Sequence, residues 1–414
     1  MVISIWPGMT SSSRAIRCST LLTCAIGDLP ARRAESEIVK DGVVAWVGET
    51  LTYAGPRDGF DGRIDEVHEG RTVIPGFVDC HTHLPFVGWR ADEYEARLRG
   101  VSYRELHGEG GIRRSARMLR DATDEKVLAF CRPLLAEMLA HGTTTLELKT
   151  GYGLSVEEEL RQARLARQLA SEIPQTATVT LLACHAVPEG TTREEWVETA
   201  CTELIPRAAS EQLVDAVDVY VEDIAFSVDD LRRIATVAGE VGLPVRCHAD
   251  QLGRSGAAEA AAGIRARSAD HLNNLSDEGV QALAANDTVA VLLPASTLML
   301  RAHPAPAGAL LESGAAVAVA TDFNPGTSPV LSMPEAIALA GALYGLPPGT
   351  ALVAATANPA WVLGRHDQVG TLEPGKRADI LVLEDDGFEM VPYRPGHNPV
   401  RSVFVGGRRV AGNE

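Results

Sequence analysis

The sequence predicts an α/β protein: a (β/α)8 TIM-like barrel with a small β-sandwich domain built from both chain termini. Three observations carry this reading. Short apolar runs alternate with longer amphipathic segments through the middle of the chain, and strand-helix alternation implies a parallel sheet. Runs rich in Val, Ile, Leu and Thr number eight, which is what a closed (β/α)8 barrel needs. His81, His83, His185, His248, His271 and Asp322 fall at or just past the C-terminal ends of these runs, the rim on which barrel enzymes carry their chemistry. Histidines scattered through a core would not select one rim.

Residues 1–70 supply the first part of the sandwich. Arg17 to Gly70 reads as short strands and turns, with Ile38 to Gly48 the clearest. The first eight residues precede a second methionine, Met9, and read as a tail or as sequence upstream of the true start. Residues 71–365 hold the barrel. Its expected strands are Val73 to His81, Thr143 to Lys149, Ala177 to His185, Ala216 to Val221, Leu243 to His248, Arg267 to His271, Thr288 to Leu293 and Ala316 to Asp322. Helical periodicity covers Asp124 to Ala140, Ser155 to Ser171, Val228 to Val241, Ser276 to Ala284 and Ala307 to Ser313, several opened by a Ser or Asp suited to cap a helix. Residues 366–414 return to short strands, Ala378 to Leu383 and Val400 to Val405, and complete the sandwich.

Composition narrows the partners. With 414 residues, 45% apolar and 5% aromatic, the chain suits one large globular domain and a smaller one. A net charge of -17 repels phosphate backbones, and no basic stripe with interleaved aromatics offsets it, so nucleic acid is excluded as a partner. No apolar stretch approaches the ~20 residues that span a bilayer, and Arg14 and Arg17 interrupt the place of a signal-peptide core. Neither membrane insertion nor secretion is expected. Seven cysteines without CxxC spacing suit free thiols in a reducing compartment, so the cytoplasm is the expected location.

His81 and His83, two apart on an extended run, face one side and can reach one cation. With His248 and Asp322 they make three imidazoles and a carboxylate. That donor set suits one divalent transition metal per chain, Zn2+ or Fe2+, with room for a water whose pKa the metal lowers towards ~7. Asp322 would also orient that water and take its proton. An isolated HxH is more often a pair of structural histidines; their company on one rim favours ligands here.

Pro75-Gly-Phe-Val-Asp-Cys-His-Thr-His83, His248-Ala-Asp250, Ser268-Ala-Asp-His271, Ala320-Thr-Asp322 and the tail Gly370 to Ile380 together resemble the amidohydrolase superfamily over nearly the whole chain. Within it, His81 to Arg90, Lys149-Thr-Gly-Tyr-Gly153, Cys184-His-Ala-Val-Pro188 and Thr321 to Thr327 are most similar to the imidazolonepropionases. The resemblance implies hydrolysis of the ring amide of 4-imidazolone-5-propanoate to N-formimidoyl-L-glutamate in histidine degradation. It further implies that Arg90 grips the substrate carboxylate with its planar fork. Tyr152, His185, Asn324, Gly326 and Thr327 would contact substrate or product. His271 would hydrogen-bond the carbonyl or developing oxyanion, with a supporting structural role as the alternative.

Gln251 departs from the HxxE pattern of related ring deaminases and of some imidazolonepropionases. A carboxamide cannot shuttle a proton, so deaminase chemistry is disfavoured; Gln251 can still hydrogen-bond the imidazolone ring, and proton traffic falls to Asp322 and His271. Asp250 receives no role. Lys149 offers the alternative of a carboxylated lysine bridging two metals, though its place on the second strand fits a mononuclear site better. The alternative functions are a hydrolase or deaminase for another small cyclic amide or aminated heterocycle, and a barrel kept as a binding scaffold, which intact ligands argue against. A homodimer stays open as the assembly.

Overall fold

The computed structural model describes residues 13–27, 29–30, 36–107 and 110–412, so the expectation for the first eight residues lies outside it. Fifteen strands form two sheets among these residues. The chain opens with β1 (Ser13–Leu22), β2 (Ile38–Val47), β3 (Thr50–Pro56) and β4 (Glu66–Pro75). It then lays down β5 (Phe77–Asp79), β6 (Thr143–Lys149), β7 (Thr176–Cys184), β8 (Ala216–Val221), β9 (Val245–Ala249), β10 (Ser268–His271), β11 (Val289–Leu292) and β12 (Val317–Val319). It ends with β13 (Ile380–Leu383), β14 (Val400–Val405) and β15 (Arg408–Gly412).

β5 to β12 are the expected eight parallel strands, each paired with its sequence neighbour. The two end strands are joined at one seam by other means. Asp79 accepts from the Thr321 backbone N–H at 3.1 Å and from its hydroxyl at 2.6 Å, and His83 N–H donates to Phe323 O at 2.9 Å. Alternation at period two then sorts each strand. On β6, β8, β9 and β10, Leu146, Leu148, Val217, Val219, Cys247 and Ala269 are buried apolar residues. The alternate positions Glu147, Lys149, Asp218, Arg246, His248 and Asp270 hydrogen-bond or ion-pair with one another across the barrel. This interior departs from the branched apolar filling usual in such barrels.

The terminal strands form one sheet in the order β15-β14-β13-β4-β1-β2-β3. Trp46 on β2 and Phe404 on β14 lie four strands apart in that order, about 19 Å in a flat sheet. Their ring centroids nevertheless stand 5.8 Å apart. The sheet therefore folds over on itself, and the two layers expected of a sandwich are halves of one sheet closed over Ile16, Leu21, Val44, Trp46, Val73, Ile380 and Phe404.

The first barrel strand differs from expectation. Val73 to Pro75 belong to β4, paired with β1 and β13, and β5 starts only at Phe77. The single apolar run serves two sheets in succession, because Gly76 carries the chain from one to the other where a Cβ would lie 2.0 Å from Thr144 Oγ1. The terminal sheet therefore continues past residue 70, to Pro75 at the end of β4.

Helices follow the strands as expected. Asp124–Ala140 is capped by the Thr123 side chain, Val156–Glu172 by Ser155, Val228–Glu240 by Ser227 in a reciprocal box with Asp230, and Asp277–Ala284 by Ser276. Further helices, Ala257–Gly263 and Met333–Tyr344 among them, lacked a periodic signal because both segments are nearly all apolar and show no polar face. No described helix is long and apolar enough to cross a membrane.

Candidate active site

His81 and His83 lie in the extended segment just after β5, so their rings emerge on one side, with Nε2 atoms 3.3 Å apart. Asp322, three residues past β12, brings Oδ1 to 3.2 Å from His83 Nε2 and 3.5 Å from His81 Nε2. The seam of the barrel thus assembles one cluster from the two most distant strands. A second cluster, His81, His248 and His271, shares His81; within each cluster the candidate ligand atoms lie within 4.8 Å of one another. His271 therefore stands among the potential donors as well as on the cavity wall.

Electrostatics favours neutral imidazoles here. Burial, then the charges of Lys149 and His248, holds His81 well below the ordinary histidine range; burial, then His248 and Lys149, does the same for His83. Burial brings His271 down to about 3. The Asp322 carboxyl is pushed up by burial and drawn back by His271 and His248. His81 Nδ1–H donates to Asp270 Oδ2 at 2.6 Å, which leaves the lone pair on Nε2. His248 Nδ1 lies 3.1 Å from Asp218 Oδ2 as an ion-pair contact without hydrogen-bond geometry, and its buried Nε2 likewise has no hydrogen-bond partner. Converging nitrogen acceptors, an unpartnered buried nitrogen and one carboxylate fit a divalent transition metal.

A small, partly open cavity lies over this cluster. Its walls include the predicted His83, Arg90, Tyr152, His185, His248, Gln251, His271, Asp322, Asn324 and Thr327, together with Ile112 and Tyr220, which carried no signal in the sequence. Arg90 is buried, and its Nε and Nη1 make no hydrogen bond; the nearest carboxylate, Glu93, is 3.6 Å from Nε. His185 donates from Nδ1 to Gly151 O at 2.9 Å and stacks on His83 with centroids 5.3 Å apart. Tyr152 is held by its loop: Glu159 accepts from the N–H groups of Gly151, Gly153 and Leu154, and Gln162 accepts from that of Tyr152 at 3.0 Å.

Gly326 takes a place other than the one expected, and Asn324, on the wall as expected, is also tied into its turn. Gly326 does not line the cavity; it backs Arg90, and a Cβ there would lie 1.7 Å from Arg90 Nη2. Asn324 reaches the wall, but its Oδ1 accepts from the N–H groups of Gly326 and Thr327 at 2.9 and 2.7 Å, and its Nδ2 donates to Asp322 O at 2.7 Å. It shapes the turn. Asp250, left without a role, faces away: its carboxylate accepts from Ser255 N and Ala258 N at the start of helix Ala257–Gly263. Lys149 Nζ lies 2.7 Å from both Glu147 Oε2 and Asp218 Oδ2, ion-paired with the two carboxylates. Asp218, Asp270, Glu147 and Arg246 were missed as supports of the ligands. Their signal was a charge set inside an otherwise apolar strand, as in Ala216-Val-Asp-Val-Tyr-Val221.

Residues 72–410 match the profile of the amidohydrolase family. The imidazolonepropionase of Rubrobacter xylanophilus is 43% identical over 382 residues, covering 90% of this chain and 92% of that protein. The imidazolonepropionase of Deinococcus radiodurans is 41% identical, covering 93% and 94%. Among solved structures, an adenosine deaminase from Xanthomonas campestris with bound zinc superposes with a TM-score of 0.72 at 18% identity, covering 96% of this chain and 92% of that one. The E. coli guanine deaminase gives 0.69 at 18%, covering 97% and 100%. At such identity the two deaminases speak for the fold alone, whereas the two closer sequences and the profile establish that this chain belongs to the imidazolonepropionase family of amidohydrolases.

Proposed function

We propose that the chain is an imidazolonepropionase: it adds water across the ring amide C–N bond of 4-imidazolone-5-propanoate and releases N-formimidoyl-L-glutamate. One observation carries the substrate assignment. The cavity that opens over the His81, His83 and Asp322 cluster also contains a buried guanidinium with two nitrogens lacking hydrogen-bond partners, a complement to a carboxylate at the far end of a small molecule.

His81, His83, His248 and Asp322 would hold one Zn2+ or Fe2+, which when bound supplies a water of lowered pKa and a Lewis acid for the carbonyl. Arg90 binds the propionate, and Tyr152, His185 and Thr327 border the ring. The Asp322 carboxylate takes the proton of the attacking water and returns it to the departing ring nitrogen. His271, neutral at physiological pH, offers one N–H to the carbonyl oxygen as negative charge builds there. Gln251 hydrogen-bonds the ring but carries no proton, so the deaminase reading loses its shuttle. Free, unpaired cysteines and a small-molecule substrate support a cytoplasmic location.

The deciding experiment incubates metal-replete protein with freshly generated 4-imidazolone-5-propanoate. Loss of its ultraviolet absorbance with appearance of N-formimidoyl-L-glutamate is expected. Ammonia release from an aminated heterocycle, with the imidazolone untouched, overturns the assignment.

A further inference from the structure

Beneath the cavity, a path of buried ion pairs joins two of the candidate ligands from behind. His81 Nδ1–H donates to Asp270 Oδ2 at 2.6 Å, and the same oxygen accepts from Arg246 Nη2 at 2.8 Å. Arg246 Nη1 pairs with Glu147, whose other oxygen lies 2.7 Å from Lys149 Nζ. Lys149 Nζ in turn lies 2.7 Å from Asp218 Oδ2, which stands 3.1 Å from His248 Nδ1. The two ends meet again in front, where the rings of His81 and His248 have centroids 4.5 Å apart. Every member is buried.

Stability does not account for this arrangement. Buried ion pairs rarely outperform apolar side chains of similar volume, and removing one partner leaves an uncompensated charge. Three carboxylates and two cations would be an unfavourable way to fill a barrel that branched apolar residues normally fill. The charges do, however, end on the two histidines. Arg246 occupies the branching point: besides Asp270 and Glu147 it donates to Cys80 O at 2.6 Å, the carbonyl immediately before His81, and to Ser268 Oγ at 3.0 Å. Its fork therefore fixes both the backbone and the ring of the first ligand.

We propose that this closed loop is a positioning device with Arg246 as its hub, setting the orientation of His81 and His248 jointly so that disturbing a member that touches neither histidine weakens the hold on the divalent metal. The proposal rests on the metal-site reading above. Arg246 and Glu147 are its test, since neither bonds to a candidate ligand side chain. Arg246→Lys keeps the charge but loses the fork that reaches four partners at once, and Glu147→Gln keeps shape and hydrogen-bonding capacity.

Each variant is loaded with Co2+, and its visible spectrum and competition with a chelator are compared with those of the unaltered protein. Roughly 10- to 100-fold weaker metal binding, a shifted Co2+ spectrum, and a fall in kcat with KM near its original value are expected. Unchanged metal affinity and spectrum in the variants that fold, even with lowered thermal stability, overturns the proposal. Should Arg246→Lys fail to fold, Glu147→Gln decides alone. If the unaltered protein binds no divalent metal, the site reading fails and takes this proposal with it; if it binds and the variants bind equally well, only the loop fails.

Discussion

Arg90 and Gly326 form a pair in which one residue supplies charge and the other supplies space. Replacing Arg90 by Met should raise KM far more than it lowers kcat, with kcat/KM falling by an amount on the order of 2 to 4 kcal/mol, the penalty for a desolvated carboxylate without its partner. Gly326→Ala should reproduce much of that loss without removing a charge, because its methyl would occupy the guanidinium's position. Steady-state kinetics on both variants check this, and an unchanged KM in Arg90→Met would place the substrate carboxylate elsewhere. For Gln251, Glu should retain ring hydrolysis, whereas Leu should cost about 1 to 3 kcal/mol in kcat/KM by leaving a buried partner unpaired. His81→Ala and Asp322→Asn should each lose nearly all turnover together with bound metal, read by elemental analysis of the purified variants. At this scale the sequence was most legible where a polar residue ended an apolar run. It was least legible where function depends on a neighbour: nothing in the sequence shows that Gly326 lies under Arg90, or that Asp270 and Asp218 stand behind His81 and His248.

Elements set these residues in place through groups that never touch the cavity. Helix Val156–Glu172 holds the loop of Tyr152 with Glu159 and Gln162, one turn apart on its inner side. The barrel strands were legible from apolar runs bounded by helical periodicity, and β6 and β8 fall on the expected residues. The short helices were not, because an Ala-rich or wholly apolar segment has no period to read. Nor was the junction at Gly76, where one run feeds two sheets. Asp379, beside that junction, accepts from Gly406 N at 2.8 Å, and burial pushes its carboxyl up to about 6 against the opposing effect of Arg377. A raised carboxyl pKa means that the folded state favours the proton. Its contribution is therefore complete below the unfolded pKa of about 4 and is lost as pH rises through about 6. Asp379→Asn removes this dependence, so between pH 5 and pH 8 the variant should gain on the original protein by roughly 1 to 2 kcal/mol. Urea denaturation at the two pH values measures it; a difference independent of pH would show that Asp379 is ionised throughout.

Across the whole molecule, the two termini meet in one sheet and the first and last barrel strands meet at one seam. Purified protein should carry about one transition metal per chain, and adding the metal to stripped protein should raise its unfolding midpoint, since a ligand bound only by the folded state stabilises it. Two metals per chain would contradict the site. The seam has a kinetic meaning as well. Its strands are separated by some 240 residues, yet Asp79 grips Thr321 across it, and His81, His83 and Asp322 sit directly above. Contacts so distant along the chain carry a high loop-closure cost. Closing the barrel and assembling the ligand cluster are then a single event, and a cation that bridges the ligands would also keep the two strands from parting. The amides of Thr321 and Phe323 should accordingly report metal occupancy, exchanging their hydrogens with solvent more slowly in the loaded protein while amides in the terminal sheet exchange at the same rate in both.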